Sequence, residues 1–157
     1  IYTVEYDNSN KKDEKWYINT DQSYAFANSK VTATYGTATA KAHADTLYTQ
    51  EDEDNGLGTK DDVKVKGLKT ILIAEIKSQA ANELARTDWY ITRNAEKSTA
   101  IPSAITTHRD LVRSRQAAME TSITNASDTP ALETLYTYTT DSDGVTSRPL
   151  ALIPTLD

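Results

Sequence analysis

The 157-residue chain contains no cysteine. That excludes disulfide staples and thiolate metal sites, and it leaves the compartment open, because cytosolic proteins and extracellular particles alike can lack thiols. Glycine and proline are scarce, at five and four residues. Neither a collagen-like repeat nor a glycine-rich linker can be built from so few. The longest aliphatic run, Ile71 to Ala74, falls far short of the roughly 20 residues of a membrane-spanning helix, so no membrane insertion is expected. The G-x-S-x-G nucleophile elbow is missing, and "NGLGTK" lacks phosphate-loop spacing. No basic stripe exists either, which argues against a nucleic-acid partner.

What is present suits a folded, soluble chain. Hydrophobic residues make up 38% and charged residues 25%, a globular rather than a disordered balance. The length allows one domain or two small lobes. The net charge of −6 is uneven: residues 1–62 hold 12 acids and 6 bases, residues 63–157 hold 11 of each. Threonine is abundant, with 24 residues, many alternating as in "VTATYGTATA" and "YTYTT". Such alternation favours pleated, half-exposed surfaces. The chain opens at Ile1 without methionine or a charged-then-apolar leader, which reads as a trimmed start or as part of a longer chain.

Along the chain, "IYTVEY" and "KWYINT" read as strands flanking the polar turn "DNSNKKDE". "KVTATYGTAT" reads as a strand interrupted at Gly36, with Asn28 and Ser29 as the turn before it. Ala40, Ala44 and Leu47 suggest a modest helix that must end by Asn55-Gly56. "DVKVKGLK" is a brief strand or extended linker. From Leu68 the period changes, and Ile73, Ile76, Ala80 and Leu84 predict a long helix ending near Thr87. A second helix begins near Pro102, with Ser103 as cap and Ile105, Leu111, Val112, Met119 and Ile123 on its apolar face. A third, short helix is capped by Asp128 or Thr129 and started by Pro130. A hairpin around Asp143-Gly144 and an extended, proline-containing tail close the chain. The expected fold is therefore α+β: a β-rich acidic lobe over 1–62, and a helical module with a C-terminal hairpin over 63–157.

Candidate chemistry is sparse. Glu51, Glu53, Asn55, Gly56 and Asp62 fall at positions 1, 3, 5, 6 and 12 of a calcium loop. Long Glu side chains stand where short Asp is needed, and Asp replaces the terminal Glu, so a solvated acidic loop is the expectation. His43 and His108 lack the spacing of a zinc pair. No metal, cofactor or catalytic residue is assigned. Asp88 beside Trp89 could form a general acid tuned by an indole. The architectural reading is preferred: Trp89 and Ile91 enter the core, and Asp88 caps a helix or pairs with Arg86 or Arg93.

The stretch "ELARTDWYITRNAEKSTAIPSAITTHRDLVR" resembles a C-terminal module of tailed-phage proteins, similar to phage tail assembly chaperone-like proteins. The residues that carry the resemblance are Leu84, Thr87, Asp88, Trp89, Pro102, His108, Arg109, Val112 and Arg113, within a segment of roughly residues 68 to 125. The resemblance implies a virion protein and implies no catalytic residues. The expected function is a non-enzymatic structural subunit of a phage tail, fibre or other appendage, or of a comparable extracellular assembly. It would act by self-association as a homo-oligomer or with other virion subunits. Tyr2, Val4, Tyr6, Trp16 and Ile18 are the interface candidates, through strand edges that offer unpaired N–H and C=O groups, and the alternative is that these five simply fill the N-terminal core. The alternatives are a tail-fibre assembly chaperone, and a protein that binds or cleaves a host-surface glycan through Asp88 and Trp89.

Overall fold

The computed structural model describes residues 2–156 and has an α+β architecture with two compact units, Ile1–His43 and Ala44–Asp157. The division falls earlier than residue 62, and it relocates the charge. Residues 1–43 hold five acids and five bases, so the whole acidic excess lies in 44–62.

The first unit is built on a three-stranded sheet of order β1-β4-β3, from β1 (Thr3–Asp7), β3 (Gln22–Ala27) and β4 (Lys30–Tyr35). β2 (Tyr17–Ile18) pairs instead with β5 (Thr39–Ala40). The strands flanking the polar turn therefore do not pair with each other. β1 runs parallel to β4, and β3 returns antiparallel to it through a two-residue turn. In that turn Asn28 and Ser29 have φ of 50° and 61°, the mirror-image geometry that matches the twist of a hairpin. Asn19 closes the earlier loop by accepting from the Lys12 N–H and donating to the Lys12 carbonyl, both at 2.9 Å. Among the described residues of this unit, the buried apolar side chains are Trp16, Tyr17 and Ala33.

The second unit begins with a short ribbon, β6 (Thr46–Leu47) against β7 (Val63–Val65). The helix suggested by Ala40, Ala44 and Leu47 is absent, because Ala40 and Leu47 lie in strands. The helix forms later, as α1 (Gln50–Asp54), and stops at Asn55 before Gly56, whose φ is +70°. Glu51 and Glu53 are thus helical rather than loop residues. Between them, Asp52 completes a capping box with Thr49 and takes the Lys64 ammonium at 2.6 Å. Lys64 and then the Thr49 N–H hold the Asp52 carboxyl down at about 2.

The helical core follows. α2 (Leu68–Ala85) has no capping side chain at Gly67, and Asp45 supplies the missing acceptor, to the Gly67 N–H at 2.6 Å and the Thr70 hydroxyl at 2.8 Å. α2 buries Leu68, Leu72, Ile76 and Ala80, a stripe turned from the expected one, with Ile73 and Leu84 only half-buried. α4 (Ser103–Asn125) buries Ile105, Val112, Met119 and Ile123 as the spacing predicts, whereas Leu111 points to solvent. Pro102 rather than Ser103 is its N-cap residue. Lys69 donates to the Thr124 carbonyl at 2.9 Å, and His108 meets Glu83 at 2.9 Å, so α2 and α4 run antiparallel. α5 (Thr129–Tyr136) is capped by Asp128, which accepts from the Ala131 N–H at 2.8 Å. β8 (Thr139–Thr140) and β9 (Thr146–Ser147) make the expected hairpin, with Gly144 at φ +78°. The tail forms no helix or strand over its described residues and buries Leu150.

One element goes beyond the two main helices and one short helix of the expectation. α3 (Asp88–Lys97) follows α2 almost without a break and ends at Ser98 in a left-handed conformation, φ 51°.

Candidate functional site

Four of the residues that bear the resemblance, Leu84, Thr87, Asp88 and Arg109, meet at the corner where α2 ends, α3 begins and α4 passes. Arg109 is buried, and its Nη1 donates to the Leu84 carbonyl at 2.8 Å, the Thr87 hydroxyl at 2.7 Å and the Asp88 carboxylate at 2.8 Å. Leu84 is one of the last residues of α2, where carbonyls lack helical donors, so a guanidinium from α4 satisfies the end of one helix and the start of the next. Asp88 therefore pairs with Arg109 rather than with Arg86 or Arg93. Trp89 and Ile91 depart from expectation as well: Trp89 is 52% exposed, and Ile91 is also exposed. The indole lies against Tyr90, with ring centroids 4.0 Å apart, and under the Arg93 guanidinium at 4.6 Å. Trp89 is a surface cluster member, not a core plug.

A second buried group adjoins this corner. Glu83 Oε1 is 2.9 Å from His108 Nε2 and accepts the Leu156 N–H at 2.7 Å, while Oε2 accepts from Arg86 at 3.0 Å. Arg86 also donates to the Leu156 carbonyl at 3.0 Å, so the tail is clamped through its main chain. Burial pushes the Glu83 carboxyl up, but the Leu156 N–H, Arg86 and His108 outweigh it, and the net displacement is downward. A nucleophile–base arrangement would place a hydroxyl or thiol against the imidazole. Among the described residues no hydroxyl hydrogen-bonds the His108 ring, and Glu83 is committed to the tail.

Sequence reasoning treated His108 as a lone histidine and did not single out Glu83. Spacing held the signal: Ile105, His108, Arg109 and Val112 stand at i, i+3, i+4 and i+7, one helix face. Ala80, Glu83 and Thr87 continue the α2 stripe in the same way.

The N-terminal sheet presents a different kind of surface. Register places Val4 beside Val31 and Phe26, and Tyr6 beside Ala33 and Tyr24. One face thus carries Val4, Tyr6, Tyr24 and Phe26, and the other Thr3, Glu5, Lys30, Thr32 and Ser23. Tyr2 packs edge-on against Phe26 at 5.0 Å, which assigns it to the aromatic face. Tyr2, Tyr6, Tyr24 and Phe26 are each 62–68% exposed, and Val4 is exposed too. Of the interface candidates, Tyr2, Val4 and Tyr6 lie together on this face. Ile18 is exposed on the β2-β5 ribbon. Trp16 is 3% exposed and belongs to the unit's small core, so it is not available as a contact. Both β1 and β3 are edge strands.

Among the described residues no group of three His, Asp or Glu side chains could hold a metal ion, and no helix is long and apolar enough to cross a membrane. No family model, curated protein or solved structure matches the chain.

Proposed function

We propose that the chain is a non-enzymatic structural subunit that assembles with copies of itself through the aromatic face of its N-terminal sheet. The observation that carries this reading is a row of exposed aromatic side chains on a unit with very little core. Four rings about two-thirds exposed, at roughly 150–250 Å² each, plus Val4, give an apolar patch of roughly 500–600 Å². That is at the upper end of what a monomer leaves open. Two copies placed face to face would bury roughly 1,000–1,200 Å², enough for a specific interface. The unit has 43 residues and no cysteine, and among its described residues three apolar side chains are buried. A unit of that size buries a small core, so covering its aromatic face by association would add stability. Its equal numbers of acids and bases leave no net charge to drive copies apart.

The resemblance around the α2-α3-α4 corner supports a virion appendage, or a comparable extracellular assembly, as the setting. The corner itself is read as architecture, since its charged groups are spent on one another and on the tail. Quantitative mass spectrometry of purified particles tests the setting. Copy numbers in fixed ratio to tail or shell subunits are the expected result. Abundance in the infected-cell lysate with absence from particles would overturn it in favour of a tail-fibre assembly chaperone.

A further inference from the structure

A groove of about 530 Å³ opens on the N-terminal unit where β3 begins and β4 ends. Its volume lies within the roughly 300–1,000 Å³ of small-molecule sites. Tyr24 and Tyr35 supply two rings, and register puts Gln22 on the same face of the sheet as both. Asp21, Asn19 and Glu14 complete the polar lining. The entry to β3 lies flush against the end of β4, because a Cβ on Gly36 would fall 2.6 Å from the Thr20 hydroxyl.

The lining groups differ in what they already hold. Asn19 is committed to Lys12 through both amide atoms. Glu14 lies 3.7 Å from the Lys11 ammonium. Among the described residues, the Asp21 carboxylate, the Gln22 carboxamide and the Tyr24 hydroxyl have no hydrogen-bond partner in the chain. The groove therefore combines ring faces, which take C–H surface, with a planar carboxylate and a planar amide, which together accept and donate. A ligand that presents both apolar C–H faces and adjacent hydroxyls meets every one of these groups. A cation is a poorer fit, because Lys11 already stands 5.7 Å from the Tyr35 ring centroid and beside Glu14.

We propose that this groove binds a neutral saccharide, with Tyr24 stacking on the sugar face and Asp21 and Gln22 bonding its hydroxyls. The site shares the Tyr24 ring with the aromatic face, so a saccharide and a second copy would compete for it, and it moves the glycan expectation away from Asp88, whose carboxylate is taken by Arg109. The test is binding of the intact chain to an array of neutral glucose-, galactose- and N-acetylglucosamine-containing oligosaccharides, with poly-lysine as the cationic comparison. The expected result is binding to a neutral oligosaccharide that falls about tenfold or more in Asp21→Asn and in Gln22→Ala. Phe26→Ser, outside the groove lining but on the assembly face, should leave that affinity undiminished. Both groove variants should keep the wild-type sedimentation behaviour, which separates loss of this site from loss of assembly. The proposal is overturned if no neutral oligosaccharide binds, if binding ignores both groove variants, or if poly-lysine is preferred and its binding is lost in Asp21→Asn.

Discussion

Replacing Arg109 by methionine should destabilise the helical unit far more than removing the charge of its partner Asp88. A hydrogen bond from a charged donor contributes about 1.5–3 kcal/mol, and the two hydrogens of Arg109 Nη1 are shared among three acceptors. They are not equal. The Leu84 carbonyl keeps the Thr87 N–H at 3.1 Å and the Thr87 hydroxyl at 3.0 Å after the change. The Asp88 side chain is 60% exposed, so water replaces its partner at little cost. Among the described residues the buried Arg109 Nε has no partner, and removing it returns about 1 kcal/mol. Methionine fills most of the volume of the arginine stem. The net expectation for Arg109→Met is a loss of about 2–3 kcal/mol, against less than about 1 kcal/mol for Asp88→Asn. Urea unfolding of the intact chain, followed by ellipticity at 222 nm, reads the helical unit directly. A loss below about 1 kcal/mol for Arg109→Met, or equal losses for both variants, would refute the claim that the buried guanidinium joins the helix ends.

Two further outcomes follow from the same structure. Because the folded-state pKa of Glu83 lies below its ordinary value of 4.5, its stabilising contribution is complete above that pH and is lost as pH falls through the folded value. The difference in urea midpoint between the wild type and Glu83→Gln should therefore shrink as pH falls below about 4.5; a gap that persists undiminished at about pH 2 would contradict the contacts drawn at Glu83. Ser29, held at φ 61°, should be improved by glycine. Relief of the left-handed penalty exceeds the added chain entropy, for a gain of about 0.5 kcal/mol. Trp16 fluorescence in a Trp89→Phe background would measure it, and a lower midpoint for Ser29→Gly would show the turn to be misassigned.

What was legible in the sequence was mostly local. The α4 stripe, the Asp128 cap, the Asp143-Gly144 turn and the halt of α1 before Gly56 each depend on neighbours within about one turn. The parallel pairing of β1 with β4 was not legible, because it joins residues 27 apart and no turn announces it. β3 was hidden in "QSYAFA", whose alternation is short and which Ala25 and Ala27 dilute. α3 was missed because its apolar residues do not face a core. Trp89 and Ile91 are exposed, so the helix is placed by its polar start at Asp88 rather than by an apolar stripe. The rule that large aromatics go inside failed there and held at Trp16. The corner at Arg109 was half legible: its residues were singled out one by one, but their partners lie 21 to 25 positions away on another helix or at its end.

Self-association through the aromatic face is tested most directly by sedimentation velocity of the intact chain from about 1 to 100 µM, beside the double variant Tyr6→Ser/Phe26→Ser. The account predicts a sedimentation coefficient that rises with concentration for the wild type. The double variant should remain a monomer across the range while keeping the Trp16 fluorescence of a folded N-terminal unit, read in a Trp89→Phe background. A wild-type chain that stays monomeric throughout, or a folded double variant that associates as strongly as the wild type, would contradict it.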